Sequence, residues 1–305
     1  MSDSKVEKLV IIGAGPAGFT AAIYAARANM DPLVLSGRLT LPQITLATEV
    51  EDYPGFPDGI SGSELLTKIK QQAERFKTRI VYEDVTSVDF TKNPFEIKTD
   101  KSNILAKTVI LATGASPAWL GLPSERKLIG RGVSVCAVCD GAFFKGKKVA
   151  VIGGGDSAMR EAQHLSKVAQ SVVIIHRRDV FRAQAALQEM IKAKENVSFL
   201  MNSVVEEIIG EEKVTGLKIK NIEDGKENQI EIDGLFVAIG HKPNTSFLVG
   251  QLDLDEQGYI VVKNGTQTSV PGVFVAGDVG DPRYRQIITA AGAGAKAALD
   301  ADEYL

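Results

Sequence analysis

Leu9-Val10-Ile11-Ile12-Gly13-Ala14-Gly15-Pro16-Ala17-Gly18 runs from a short apolar stretch into a glycine turn, and an alanine-rich helical pattern from Phe19 to Ala28 follows. This is strand, turn, helix. Gly13 permits the tight turn, Gly15 lets the backbone approach a pyrophosphate, and Gly18 packs helix on strand. The helix N-terminus supplies unpaired N–H groups and a positive dipole. Leu33 to Leu35 supplies a second strand at the expected distance. Ser36 stands where an acid for the ribose is often found, so ribose recognition must come from elsewhere.

The pattern recurs. Lys148 to Ile152 reads as a strand, Gly153-Gly154-Gly155-Asp156-Ser157-Ala158 as the turn, and Met159 to Val168 as an amphipathic helix. The next strand, Val172 to Ile175, ends in His176-Arg177-Arg178, with Arg182 four residues beyond. An acid here would suit the free 2'-hydroxyl of NAD, whereas guanidinium groups suit a 2'-phosphate. The alternative is that Arg177 and Arg178 merely answer Asp179 at the surface. Two nucleotide units suggest two nucleotides.

Val109 to Ala112 before Thr113-Gly114, and Leu235 to Ile239 before Gly240, are further buried-strand patterns closing on glycine. Val273 to Val275, ahead of Ala276-Gly277-Asp278, puts an acid just beyond a strand, where it can reach a ligand's hydroxyls. Gln286 to Leu299 is a helix rich in small residues. The segments 114–123 and 241–246 carry the prolines and glycines of linkers. The expected fold is α/β, with two Rossmann-like three-layer nucleotide-binding domains, one inserted into the other: residues 1–117 and 247–305 together, with 118–246 between them.

Length and composition agree with two globular domains: 305 residues, 44% hydrophobic and 24% charged. A net charge of −3 gives no basic footprint for nucleic acid, and the longest apolar runs fall far short of a bilayer span, so no nucleic-acid or membrane partner is expected. The N-terminus lacks the pattern of a signal peptide, which points to the cytoplasm.

There, Cys136-Ala137-Val138-Cys139-Asp140 holds the chain's two cysteines, and a Cys-x-x-Cys beside an acid is read first as a redox centre. Zinc is a weaker reading, with no second cysteine pair and no suitable spacing among His164, His176 and His241, so no metal is expected. A structural disulfide would close too short a loop to stabilise much. Asp140 could manage a proton near the sulfurs or serve only as a turn residue ahead of Gly141.

Taken in order, GAGPAGFTAAIYAARA, EVEDYPGFPDGI, ATGA, CAVCDG, GGGDSA, HRRDVFRA, GHKPNT, GVFVAGDV and RYRQ make the chain resemble the low-molecular-weight thioredoxin reductases over almost its whole length. The resemblance implies a homodimer with FAD in the discontinuous domain, NADPH in the inserted one, and thioredoxin or a thioredoxin-like protein as partner. It places FAD against Gly13, Gly15, Pro16, Ala17, Gly18, Gln43, Asp52, Thr113, Gly114, Gly277, Asp278, Arg285, Gln286 and Ile287, with Asp278 at the ribityl chain. NADPH falls to Gly153, Gly155, Asp156, Ser157, Ala158, His176, Arg177, Arg178, Arg182 and Gly240. Cys139 corresponds to the sulfur next to the flavin, Cys136 to the one that attacks thioredoxin, and Asp140 to the acid/base.

Since the cysteines share a domain with the NADPH fingerprint, nicotinamide and disulfide would compete for one flavin face, and a rotation about the linkers would let them alternate. Other readings of the same parts are a flavin-dependent dithiol oxidase, against which the arginines argue, and a redox-sensing module that binds nucleotides without turnover. The chain departs from the family pattern at Leu41-Pro42-Gln43 and Thr45-Leu46-Ala47-Thr48, at Asp52 in place of Asn, and at Arg160 in place of Glu. Pro42 lacks an N–H where a glycine could offer one to the flavin, so weakened FAD binding is expected from this loop.

Overall fold

The alternation in Val6–Ile12 sends Leu9 and Ile11 to one face of a sheet and Val10 and Ile12 to the other, and all four are buried. In the computed structural model, which describes residues 5–37 and 42–305, this strand lies between Leu33–Leu35 and Asn103–Leu111, parallel to both. The helix Pro16–Arg27 makes the crossover to Leu33–Leu35, giving the register Val10 opposite Leu33 and Ile12 opposite Leu35. Arg79–Val81 extends one edge of the sheet, and Val273–Val275 pairs in parallel with the C-terminal half of Asn103–Leu111. The N-terminal half of that long strand carries an antiparallel pair, Phe95–Thr99 and Val85–Asp89. Helices Pro16–Arg27, Gly62–Arg75 and Ile287–Tyr304 contribute to the core on one face of the sheet, and the antiparallel strands pack on the other.

The second unit repeats the plan. Lys148–Ile152, helix Asp156–Leu165 and Ser171–Ile175 form its crossover, in a parallel sheet ordered Val197–Leu200, Ser171–Ile175, Lys148–Ile152, Gly234–Val237, Val133–Ser134. Val149 and Val151 face the helices, while Ala150 and Ile152 face the antiparallel meander Ser203–Ile209, Gly216–Asn221, Glu227–Glu231. Burial of each such valine or isoleucine side chain stabilises by roughly 1.5–3 kcal/mol. The result is two three-layer α/β units of Rossmann type.

Contacts divide the chain into Met1–Ser116 with Lys242–Leu305, and Pro117–His241. The chain crosses between the units through Ala115–Pro117 and His241–Pro243, which form a two-stranded ladder. Residues 242–246, placed in the insertion from sequence, cluster with the first unit. Asn244 explains this: its backbone N–H donates to the Gly114 carbonyl (3.0 Å) and its Nδ2 to the Thr113 carbonyl (2.8 Å).

Candidate active site

Packing requires some fingerprint glycines and leaves others unexplained. A Cβ at Gly13 would run into the Ala112 carbonyl, and one at Gly18 into the Gly13 carbonyl. Gly15 is different: its φ of −80° suits any residue, and a Cβ there would meet nothing within 4 Å. The second turn behaves alike. Gly153 is hemmed in by Ala238 and Ala158, Gly154 lies against the His176 ring, and Gly155, at φ −100°, faces open space. The two fingerprint glycines that protein packing does not need, Gly15 and Gly155, stand at the position where the fingerprint is expected to admit a pyrophosphate. Both helices behind them start without a side-chain cap, whereas Gly62–Arg75 is capped by Ser61, whose Oγ accepts from the Glu64 N–H at 3.2 Å. Each turn therefore fits a dinucleotide phosphate on its own geometry.

Around the first turn the structure gathers most of the residues expected at the flavin. Gly277 lies against Ala17 and Ala290, and Gly294 brings the last helix onto the Ala17 backbone, so the start of Ile287–Tyr304 flanks the start of Pro16–Arg27. Ile287 is the first residue of that helix, Gln286 its N-cap in a capping box with Thr289, and Arg285 takes φ +49° just before it. Thr113 donates through Oγ1 to the Asn244 carbonyl (2.9 Å), which with the two bonds from Asn244 fixes Thr113-Gly114 beside Gly13. Asn244 is not among the site residues expected from sequence; its amide laces the turn from 131 residues away, a contact no local pattern announces.

Asp278 is strongly perturbed. Burial pushes its carboxyl up to about 6, with Asp281 adding and Arg285 opposing, and no hydrogen bond from the described residues reaches it. A half-buried carboxylate without a protein donor among the described residues suits a ligand that brings hydroxyls. Gln43 is half-buried at the start of the 3-10 turn Gln43–Leu46, whose N-cap Pro42 accepts at its carbonyl from the Thr45 N–H (2.9 Å) and Oγ1 (2.8 Å). Asp52 is exposed, and no hydrogen bond or ion pair joins it to another of the described residues. Leu41 lies outside the described residues.

In the second unit, His176 is buried on Gly154 and its Nε2 lies 3.1 Å from the Val180 carbonyl. Burial holds its pKa below the ordinary value; the Val180 carbonyl opposes this, while Arg182, Arg178 and Arg177 add to it. The three guanidinium groups thus share one neighbourhood. Their side chains are exposed, and among the described residues none pairs with Asp179 or any other carboxylate. The Arg182 and Ala183 N–H groups donate to the Gly154 carbonyl (2.7 and 3.1 Å), folding the arginine segment back onto the phosphate turn. Asp156 and Ser157 open the helix and Ala158 is buried beneath it. Gly240, at φ +116°, faces open space on its Cα side.

Cys136 and Cys139 form a disulfide with Cα atoms 5.4 Å apart, both half-buried, with Val138 exposed between them. The Cys136 Sγ also accepts from the Cys139 N–H at 3.2 Å. Ser134 holds the acid in place: its Oγ–H donates to Asp140 while the same Oγ accepts from the Cys136 N–H at 3.1 Å. Glu161, on the helix Asp156–Leu165, accepts from the Ala137 N–H. Ser134 and Glu161 were absent from the sequence reading, because each reaches the motif by side chain from a neighbouring element. Among the described residues there is no group of three His, Cys, Asp or Glu able to hold a metal, and no helix long and apolar enough to cross a membrane.

Residues 7–294 match the pyridine nucleotide-disulphide oxidoreductase family. The chain belongs to this family. It is 50% identical to a thioredoxin reductase of Streptomyces coelicolor, over 99% of this chain and 95% of that one. The solved thioredoxin reductase from Giardia duodenalis superposes with a TM-score of 0.94 at 44% identity, covering 97% and 98% of the two chains. A Pseudomonas fluorescens relative named glucosaminate ammonia-lyase is 45% identical over 100% of this chain and 98% of its own. Overall likeness therefore reaches proteins with differently named reactions, and the site residues must carry the argument for the chemistry.

Proposed function

We propose that the protein is an NADPH-dependent thioredoxin-disulfide reductase. The single observation that carries this is the bonded Cys136–Cys139 pair, with Ser134 linking Asp140 to the backbone of Cys136. The unit Met1–Ser116 with Lys242–Leu305 is read as the FAD domain, and Pro117–His241 as the NADPH domain. Gly13, Gly15 and Gly18 would hold the FAD pyrophosphate, and Asp278 would take hydroxyl donors from the ribityl chain. Gly153 and Gly155 would hold the NADPH pyrophosphate, with Arg177, Arg178 and Arg182 on the 2'-phosphate.

Bound in these sites, NADPH supplies a hydride and FAD relays two electrons toward the disulfide. Cleavage of the Cys136–Cys139 bond by two electrons and two protons leaves a dithiol. One thiolate then attacks the partner's disulfide: a mixed disulfide forms, and the partner's other sulfur leaves as thiolate. The second cysteine displaces the partner, restoring Cys136–Cys139 and releasing a reduced dithiol. The Cys139 N–H stabilises charge on the Cys136 sulfur, and Asp140, held by Ser134, keeps a proton close to the exchanging sulfurs. Exposed Val138 offers an apolar contact for the partner at the motif itself. Such a cycle belongs in a reducing compartment, the cytoplasm, and the homodimer remains part of this reading.

Anaerobic stopped-flow with NADPH tests the proposal. The flavin absorbance bleaches rapidly and recovers when oxidised thioredoxin is added; recovery with oxygen alone would indicate a dithiol oxidase, and no bleaching would indicate a non-catalytic module.

A further inference from the structure

Asp156 is an unexpected residue at the first position of a helix that faces a pyrophosphate. A carboxylate there is favoured by the helix dipole yet repelled by the phosphates. Its side chain caps no amide of its own helix. Instead Oδ1 accepts from the Gln184 backbone N–H (2.9 Å) and Oδ2 from Gln184 Nε2 (3.0 Å), so both oxygens are turned onto one residue 28 positions away.

Gln184 is itself a junction. It directly follows Arg182-Ala183, whose N–H groups are fixed to the Gly154 carbonyl, and it is the N-cap of the helix Ala185–Lys192. Gln188, on that helix, donates back to the Ala183 carbonyl at 2.7 Å. The arginine segment from 177 to 182 is therefore tied at four places: His176 Nε2 to Val180, the 182–183 amides to Gly154, Gln184 to Asp156, and the Arg178 carbonyl to the Asn202 N–H at 3.2 Å. The third tie joins the helix that starts at the phosphate turn directly to the end of the arginine segment. It also gives the Asp156 charge two donors.

We propose that Asp156 and Gln184 form a latch that fixes the spacing between the pyrophosphate turn and the Arg177–Arg178–Arg182 cluster, and that this latch is a positioning pair for recognition of a 2'-phosphate. The proposal rests on the NADPH reading above. Opening the latch frees the arginine segment at one end, so guanidinium groups otherwise preorganised for the phosphate must be ordered on binding. The 5'-phosphate contacts, made by the turn itself, are affected far less.

Isothermal titration of the FAD-loaded protein with 2',5'-ADP and with 5'-AMP tests this without any redox step. The wild type binds 2',5'-ADP more tightly than 5'-AMP; if it does not, the NADPH reading itself fails. Gln184→Ala removes the Nε2 donor, and Gln184→Glu sets two carboxylates against each other. The second variant should weaken 2',5'-ADP roughly tenfold, and the first by a smaller factor, with 5'-AMP within about twofold of wild type in both. Asp156→Asn combined with Gln184→Glu exchanges the two polarities at unchanged net charge and should recover 2',5'-ADP binding to within about twofold. In turnover, Gln184→Glu should raise the KM for NADPH while kcat holds. Retained 2'-phosphate discrimination in Gln184→Glu, equal loss of both ligands, or failure of the exchanged pair to recover would each overturn the latch.

Discussion

Replacing Gly15 with alanine separates ligand recognition from folding, because the two fingerprint glycines three residues apart do different jobs. At Gly15 the backbone lies at φ −80° and the new methyl group meets no protein atom within 4 Å, so the folded apoprotein loses only part of a helix cap, under about 1 kcal/mol. At Gly18 the methyl group would collide with the Gly13 carbonyl, backbone on backbone, and must push the helix off the strand at a cost of about 1–3 kcal/mol or more. For FAD the ranking reverses. The Gly15→Ala methyl group stands where the pyrophosphate must come, and losing even one charge-assisted bond from the turn costs about 1.5–3 kcal/mol, roughly tenfold to a hundredfold in Kd. Urea unfolding of the apoprotein and flavin-fluorescence titration of the same samples give both quantities. The expected result is near-normal apoprotein stability with weak FAD binding for Gly15→Ala, and a destabilised apoprotein for Gly18→Ala. A Gly15→Ala protein that binds FAD within twofold of wild type would refute the placement of the pyrophosphate, and one as unstable as Gly18→Ala would show that Gly15 serves packing.

Three further expectations concern named groups. Asp278→Asn should stabilise the apoprotein: with its carboxyl raised from 3.8 to about 6, Asp278 binds more protons folded than unfolded, so its contribution worsens as pH rises from about 4 to 6, reaching about 2–3 kcal/mol above that window. The same variant should bind FAD more weakly, and melting curves from pH 4 to 8 with parallel FAD titrations check both signs. Arg79→Met should cost about 2–3 kcal/mol at pH 7, since it strips both bonds (2.9 and 2.6 Å) from buried Glu7 and leaves, among the described residues, only Lys5, at 3.3 Å. The Glu7 carboxyl is held below its ordinary pKa chiefly by Arg79, against burial, so this stability is present above about pH 4.3 and is lost as pH falls through the lower folded value. The gap between wild type and variant in denaturant midpoints should therefore close in acid. Cys136→Ser should show a long-wavelength charge-transfer shoulder from Cys139 thiolate against oxidised flavin, and Cys139→Ser should not; the opposite pattern in their absorption spectra reverses the two roles.

The strand–turn–helix units were legible because their signals are local. The first and second turns, the strands Leu33–Leu35, Lys148–Ile152 and Val273–Val275, and the start of the last helix each announce themselves by an apolar run beside glycine or by helical spacing. That helix continues to Tyr304, beyond the expected Leu299, because Ala301 still packs in the core while charged Asp302 and Glu303 face solvent. The antiparallel strands 85–99 and 203–231 went unread: they alternate buried and exposed positions weakly, and charged residues such as Glu206, Glu207, Lys218 and Lys220 occupy much of their length. Around the disulfide the motif named its own residues but not their supports. Ser134 is two residues upstream in an unremarkable strand, Glu161 lies on the next helix, and Gln184 looks like any surface glutamine until the fold brings it onto Asp156.

The central claim is a two-electron path from NADPH to a partner's disulfide through Cys136 and Cys139. Counting free thiols released on oxidised thioredoxin against NADPH consumed, in the same anaerobic reaction with catalytic protein, tests it most directly. Two partner thiols per NADPH, falling to none in Cys136→Ser and Cys139→Ser while both variants still accept hydride into the flavin, is the predicted result; thiol release that persists without either cysteine, or NADPH consumption that yields no partner thiols, would contradict it.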